Sequence, residues 1–221
     1  AQAVSPPSPL QRDPDLVKNW ALKDDSALSI HKAWQLGQCD ERVVVAVIDT
    51  GVDYNHPDLK QNIWKNPVEI EGNGKDDDKN GYVDDTMGWD FVGNDPLPYD
   101  DHGHGTHVTG IIGAASSNGI GISGVCPNVR LMILKYYDAD ADGKTNLKNT
   151  VRALHYAVDN GANIINYSGG GAEFSKEEYQ AIEKASQKGI LVIAAAGNEK
   201  QNADQHAYYP ASYDLENIVS I

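Results

Sequence analysis

The chain has 221 residues, 40% of them hydrophobic, with 18 Lys and Arg against 32 Asp and Glu for a formal net charge of −14. That length and apolar content suffice for the core of one domain or a large part of one. The acidic balance argues against nucleic acid and anionic membranes as partners, since both require clustered positive charge, and no apolar run approaches the ~20 residues that span a bilayer.

Ala1–Arg12 lacks the basic start and apolar centre of a signal peptide, and prolines at 6, 7 and 9 make it an irregular arm ahead of a domain beginning at Asp13. Asp24 to Leu36 has helical apolar spacing, with Gly37 as its stop. Cys39 and Cys126 are too few for a disulfide framework and lack metal-ligand spacing, leaving a single bridge or two buried thiols. Val43 to Ile48 contains six aliphatic residues, five of them β-branched, without polar alternation. This pattern predicts a strand covered on both faces at the centre of a parallel sheet. It ends in Asp49-Thr50-Gly51. The carboxyl edge of such a sheet is where ligands and catalytic groups collect, so Asp49 is a candidate acid. A turn in which the carboxylate bonds its own backbone is the other reading.

Tyr54 to Asp101 shows no period and is rich in Gly, Asp, Asn and Pro, which marks a functional or ion-stiffened excursion. Asp76-x-Asp78-x-Asn80-Gly81, followed by Asp84 and Asp85, opens like a Ca²⁺ loop with oxygen ligands on alternate residues and glycine at the turn. Met87 occupies the place of the twelfth-position glutamate, so this is not an EF-hand. Nine aspartates lie between Asp76 and Asp101, and without a cation they repel one another. An ion held by Asp76, Asp78, Asn80 and Asp84 is the expectation, and a solvated acidic loop the alternative.

The remaining chain is regular. A helix is predicted from about His104 and a strand over Val129–Lys135. Leu147, Val151, Leu154 and Val158 fall at i, i+4, i+7 and i+11 before Gly161, the pattern of an amphipathic helix. Asn163–Tyr167 reads as a strand, and Ser175-x-x-Glu178 as a capping box opening a helix that Gly189 closes. Ile190–Ala195 is another buried strand and Asn217–Ile221 begins one more. The alternation predicts an α/β fold with a parallel sheet and helices on both faces. No repeat or linker divides it, and a last strand ending at the terminus is expected of a domain cut before its final part.

Two further stretches carry chemistry. His102-Gly103-His104-Gly105-Thr106-His107 invites a zinc reading, but its spacing is not H-E-x-x-H and no glutamate stands where a base should. The other reading is one histidine at a helix start acting as general acid and base near neutral pH, with flanking glycines allowing close approach. Leu191 to Asn198 is an apolar strand ending in small residues and an amide, which either caps a turn or donates N–H to an oxyanion.

Together these stretches resemble the subtilisin-like serine proteases. The likeness lies in Val45-Ala46-Val47-Ile48-Asp49-Thr50-Gly51-Val52-Asp53 with His56-Pro57-Asp58-Leu59, in His104-Gly105-Thr106-His107-Val108-Thr109-Gly110, in Asn166-Tyr167-Ser168-Gly169-Gly170-Gly171 and in Ala194-Ala195-Ala196-Gly197-Asn198-Glu199. It implies that Asp49 orients and charges the imidazole, that His104 is the base, and that Asn198 is the side-chain half of the oxyanion hole. Ser168, Gly169 and Gly170 would pair with the bound peptide as an added strand, with Lys144, Thr145 and Asn146 as the opposite rail. Gly197 would line the primary specificity pocket. A second Ca²⁺ site is implied at Asp13, Asp58 and Asn118 with carbonyls of Ser116, Ile120 and Ile122. Tyr208 precedes Tyr209-Pro210 where the family often has a small residue, and an inward Tyr208 would select small side chains at P1, the substrate residue before the scissile bond.

The family's nucleophile lies in a Gly-Thr-Ser-Met-Ala-like helix start, and no Thr-Ser dipeptide occurs here. The family order of triad residues is Asp, His, Ser. Residues 13–221 are therefore read as an incomplete catalytic domain whose serine is expected from a carboxyl-terminal fragment of the same protease. The chain alone would be nearly inactive. The whole would be a secreted or extracytoplasmic, calcium-dependent endopeptidase acting on polypeptides. An aspartic protease would need a second Asp-Thr-Gly or a homodimer. A catalytically dead, calcium-stabilised peptide-binding module is the remaining alternative, though it gains nothing from retaining Asp49, His104 and Asn198 together.

Overall fold

The computed structural model describes residues 13–22, 28–37 and 39–221. The arm at 1–12 and the first part of the helix expected from Asp24 lie outside the described residues. The rest of that helix is α1 (Ile30–Leu36), and Gly37 ends it as expected, its N–H bonding the carbonyl of Ala33.

Six parallel strands run in the order β2-β3-β1-β4-β5-β6. They are β1 (Val44–Asp49), β2 (Gly88–Asp90), β3 (Arg130–Lys135), β4 (Ile164–Tyr167), β5 (Leu191–Ala194) and β6 (Ile218–Ser220). Both faces of β1 are buried, which is why its apolar run shows no alternation. Side chains of a strand still point alternately to opposite faces. Ala46 and Ile48 pack with Leu154, Ala157 and Ile182 in one core cluster, and Val45 and Val47 with Leu59, Ala114 and Val129 in the other. The first face is covered by α3 (Gly143–Asp159) and α4 (Lys176–Gln187), and the second by α2 (His104–Gly113), whose Val108 and Ile112 pack against that cluster.

The capping box opens α4 as expected, but only half of it forms. Ser175 Oγ accepts from Glu178 N, while the Glu178 carboxylate accepts from Tyr213 Oη, and Ser175 N donates to that same hydroxyl. β2 has no counterpart in the sequence reading, because three residues carry no period. Its approach to β3 depends on Gly88, where a Cβ would stand 1.9 Å from the carbonyl oxygen of Ile133. The cysteines form the single bridge, Cys39–Cys126, tying the entry to β1 to the segment ahead of β3. Among the described residues no helix is long and apolar enough to cross a membrane.

Candidate active site

Asp49 closes β1 and His104 opens α2, so two distant stretches meet at the carboxyl edge of the sheet. Asp49 Oδ1 lies 2.7 Å from His104 Nδ1 and also accepts from Thr50 N at 2.7 Å. The carboxylate side chain is 3% exposed, the imidazole 47%. A carboxylate can only accept here, so the neutral ring carries its proton on Nδ1 and leaves Nε2 as an accessible base. The approach depends on Gly105, where a Cβ would meet the carbonyl oxygen of Gly51 at 2.1 Å. His102 faces His104 edge-on at 6.3 Å between centroids. The metal-capable group among the described residues contains no histidine.

β4 and β5 pair in parallel and deliver their continuations to this same edge. Ser168-Gly169-Gly170 follows β4, and Gly197-Asn198 follows β5, with Asn198 exposed. Between them stands the ring of Tyr208: a Cβ on Gly170 would come within 2.6 Å of it and one on Gly197 within 3.2 Å. Tyr208 thus points inward, beside Gly197, Glu199 and His206 in an open cleft of ≈ 590 Å³. Burial, and then the charge of Glu199, raise the Tyr208 pKa above that of an ordinary phenol. Lys144 and Thr145, expected on the opposite rail, are helical. They lie in the first turn of α3, where Thr145 N is taken by the N-cap carboxylate of Asp142 and Asn146 N by its carbonyl. Lys144 also lines a cleft with Leu147, Lys148 and Val151.

The acidic excursion is organised differently from the expected loop. Asp76 accepts from the backbone of Asn80 and Gly81, and Asp84 from that of Asn73 and Gly74, so both carboxylates shape the chain. The converging group is Glu69, Asp78 and Asp85, with one ligand oxygen from each within 4.8 Å of the others. Asn80 sits beside this group, its Nδ2 lying 3.0 Å from Asp78 and 2.8 Å from Asp85. Burial raises the Asp85 pKa to about 6, aided by the charges of Asp78 and Glu69 and opposed by hydrogen bonds from Tyr156 and Asn80. Glu69 Oε2 is buried and has no partner among the described residues. An orphaned oxygen beside two further carboxylates fits a hard divalent cation. Glu69 lies outside the aspartate-rich motif, and no local spacing pointed to it.

The second expected calcium set is brought together by a different pattern of bonds. Buried Asp13 accepts from the backbone of Ser117, Asn118 and Gly119 and from Ser123 Oγ. Asp58 accepts from Asn118 Nδ2 at 2.7 Å and from Ile122 N at 3.0 Å. The loop that would offer carbonyls of Ser116, Ile120 and Ile122 therefore wraps these two carboxylates.

A parallel sheet with helices on both faces, a buried Asp bonded to a histidine at a helix start, and two small-residue extensions at one edge define a hydrolase-like α/β site. The subtilase family model matches residues 40–221, and the chain belongs to that family. It is 43% identical over 159 residues to subtilisin-like protease 1 of Plasmodium berghei (strain Anka), covering 72% of this chain and 26% of that protein. It is 36% identical over 189 residues to the thermophilic serine proteinase of Bacillus sp. (strain AK1), covering 86% and 40%. Fervidolysin from Fervidobacterium pennivorans, a keratinolytic enzyme related to subtilisin, superposes with a TM-score of 0.60 at 27% identity, over 83% of this chain and 25% of that one. The chain thus spans about a quarter to two-fifths of the length of these curated relatives.

Proposed function

We propose that this chain forms the Asp-His part of a serine endopeptidase, with residues 13–221 an incomplete catalytic domain behind an arm at 1–12. Asp49 holds the imidazole in its Nδ1–H tautomer and stabilises the imidazolium. His104 Nε2 takes the nucleophile's proton and later protonates the leaving amine, and the Asn198 amide donates to the oxyanion. The serine is supplied by sequence outside these 221 residues, on a carboxyl-terminal segment of the same protease. Its hydroxyl forms an acyl ester that water then hydrolyses. The 221 residues alone are then nearly inactive.

The observation that carries this reading is the 2.7 Å contact between buried Asp49 and half-exposed His104. A buried carboxylate that fixes the Nδ1–H tautomer of a half-exposed ring is the arrangement that a general base requires. The substrate backbone lies along Ser168, Gly169 and Gly170, with Lys144 and Thr145 across the cleft, and the inward Tyr208 ring beside Gly197 selects small P1 side chains. Calcium is held by Glu69, Asp78 and Asp85, and a second ion by Asp13, Asp58 and Asn118. Each would neutralise carboxylates and cross-link loop to domain. The Cys39–Cys126 bridge supports a secreted or extracytoplasmic location.

Intact-mass measurement under denaturing conditions, coupled to a fluorophosphonate probe that acylates activated serines, tests the proposal. A second, labelled polypeptide beside the 24.0 kDa chain, in a preparation that cleaves peptides, is the expected result. Cleavage-competent material whose only labelled serine lies in this chain would overturn it, and peptide binding without labelling would favour the dead module.

A further inference from the structure

We propose that Asp100 is a positioning residue: it clamps the start of α2 to the end of β1 and so aligns His104 with Asp49. The inference rests on His104 being the base.

α2 begins without a side-chain cap of its own. Its N-cap is Gly103, with φ at +94° and no side chain to accept a hydrogen bond. The first N–H groups of a helix have no partner within it and must find acceptors. Asp100, 7% exposed, supplies them. Its Oδ1 accepts from His102 N at 3.0 Å and Gly103 N at 2.8 Å, and its Oδ2 from Thr106 N at 2.9 Å. The same two oxygens accept from Thr50 Oγ1 at 2.8 Å and Thr106 Oγ1 at 2.6 Å. Those hydroxyls pass the link onward, Thr50 Oγ1 accepting from Gly105 N and Thr106 Oγ1 from Asp53 N, both at 2.9 Å.

One carboxylate therefore grips the backbone on either side of His104 and, through Thr50, the residue next to Asp49. Burial alone would raise the Asp100 pKa, but hydrogen bonds from Thr106, Gly103 and Thr50 outweigh it and hold the group below the ordinary carboxylate range. A permanent anion at this point also suits the positive end of the helix. The glycine contact between Gly105 and Gly51 sets how closely the two segments approach. It contains no directional group, so the angle of the imidazole is left to the hydrogen bonds. Displacements of about 1 Å at a reacting centre are costly to catalysis.

Asp100→Asn keeps the shape and removes half the clamp. Its amide nitrogen must face either Thr106 N–H or the N–H groups of His102 and Gly103, and a donor cannot satisfy another donor. The test is NMR of protein labelled with ¹⁵N-histidine, following the His104 Nδ1 proton bonded to Asp49 and assigned by its loss in His104→Gln. Asp100→Asn should speed exchange of that proton with solvent about tenfold, the effect of losing one charge-assisted hydrogen bond, and should mix the two tautomers. Thr50→Val should do the same more weakly, and Thr50→Ser, which restores a hydroxyl, should return wild-type behaviour. Ile182→Val in α4, a destabilised control outside the site, should leave the resonance unmoved. The inference is overturned if both Asp100→Asn and Thr50→Val exchange like wild type, or if Ile182→Val shifts the signal as much as they do. Should Asp100→Asn not fold, the Thr50 pair decides alone. Failure of the protease reading is a separate event: peptide cleavage and fluorophosphonate labelling would both be absent while the resonance persists.

Discussion

Ile48 in β1 and Asp85 in the acidic excursion are both completely buried, yet different physics keeps each in place. Ile48 sits among Ala46, Leu134, Leu154 and Ile165, where removal of apolar surface from water is the driving force. Asp85 is held by Tyr156, Asn80 and Asn66, and its burial beside Asp78 and Glu69 is unfavourable for three negative charges. The sheet should therefore be indifferent to ions, whereas the excursion should respond to the solution around it. The site uses both: the sheet positions Asp49, and the excursion ends in Asp100 and leads into His104.

The largest effect is expected where the sheet presents its carboxylate. In the assembled protease, Asp49→Asn should lower kcat by about 10⁴, the loss established for a triad carboxylate of this class, with KM little changed. A rate within tenfold of wild type in steady-state assays would remove Asp49 from the mechanism. Ile48→Ala should cost about 2–5 kcal/mol, and denaturant titration should give the same cost with calcium or EDTA present. A cost that grows in EDTA would mean that sheet and excursion are not independent. Chelation alone should lower stability by about 3 kcal/mol if the ion is held at roughly a hundredfold excess over its Kd. Calorimetry should show that response weakened in Glu69→Gln. An unchanged Tm in EDTA would leave the excursion self-sufficient.

Two smaller effects sharpen the contrast. Tyr208→Gly should raise kcat/KM for Phe or Leu at P1 relative to Ala by about tenfold, the scale of discrimination by apolar pocket size. Unaltered P1 profiles would place the ring outside the path of the substrate. Glu178 is a carboxylate in the regular half that behaves like the excursion: burial raises its pKa, and the bond from Tyr213 opposes this only in part. Its stabilising contribution is complete below the ordinary glutamate range and is lost as pH rises through the raised folded value. Wild type should therefore lose stability relative to Glu178→Gln on going from pH 4 to 7. Parallel Tm curves for the two proteins would mean that Glu178 ionises normally.

Every strand but β2 was legible to within a residue or two, because each of those is a local run. β1 and β3 are short apolar segments buried on both faces, whereas β4 and β5, equally short runs, alternate, and Leu191 of the expected buried strand is exposed. α3 and α4 were equally open, through the spacing of Leu147 to Val158 and the cap at Ser175. The Asp49 and His104 motifs could be found because each packs its signal into a few contiguous residues. The acidic loop was legible only in part, for the converse reason. Alternate aspartates mark oxygen-rich chain, but Asp76 and Asp84 bond backbone N–H groups, a use that spacing does not distinguish from ligation. The resemblance named Lys144 and Thr145 as an opposite rail but not their conformation, which the Asp142 cap makes helical.

By itself the sequence determined most of the strand and helix order and the small residues at the sheet edge, since these follow from periodicity and short motifs, while its resemblance to the subtilases singled out Asp49 and His104. Tertiary structure alone decided that Glu69 joins Asp78 and Asp85, that Tyr208 stands between Gly170 and Gly197, and that Asp100 serves α2 in place of a cap. Each of these depends on which distant backbone carries a side chain into reach. Hydrogen bonds and charge interactions act over a few ångströms of space, whatever the separation along the chain.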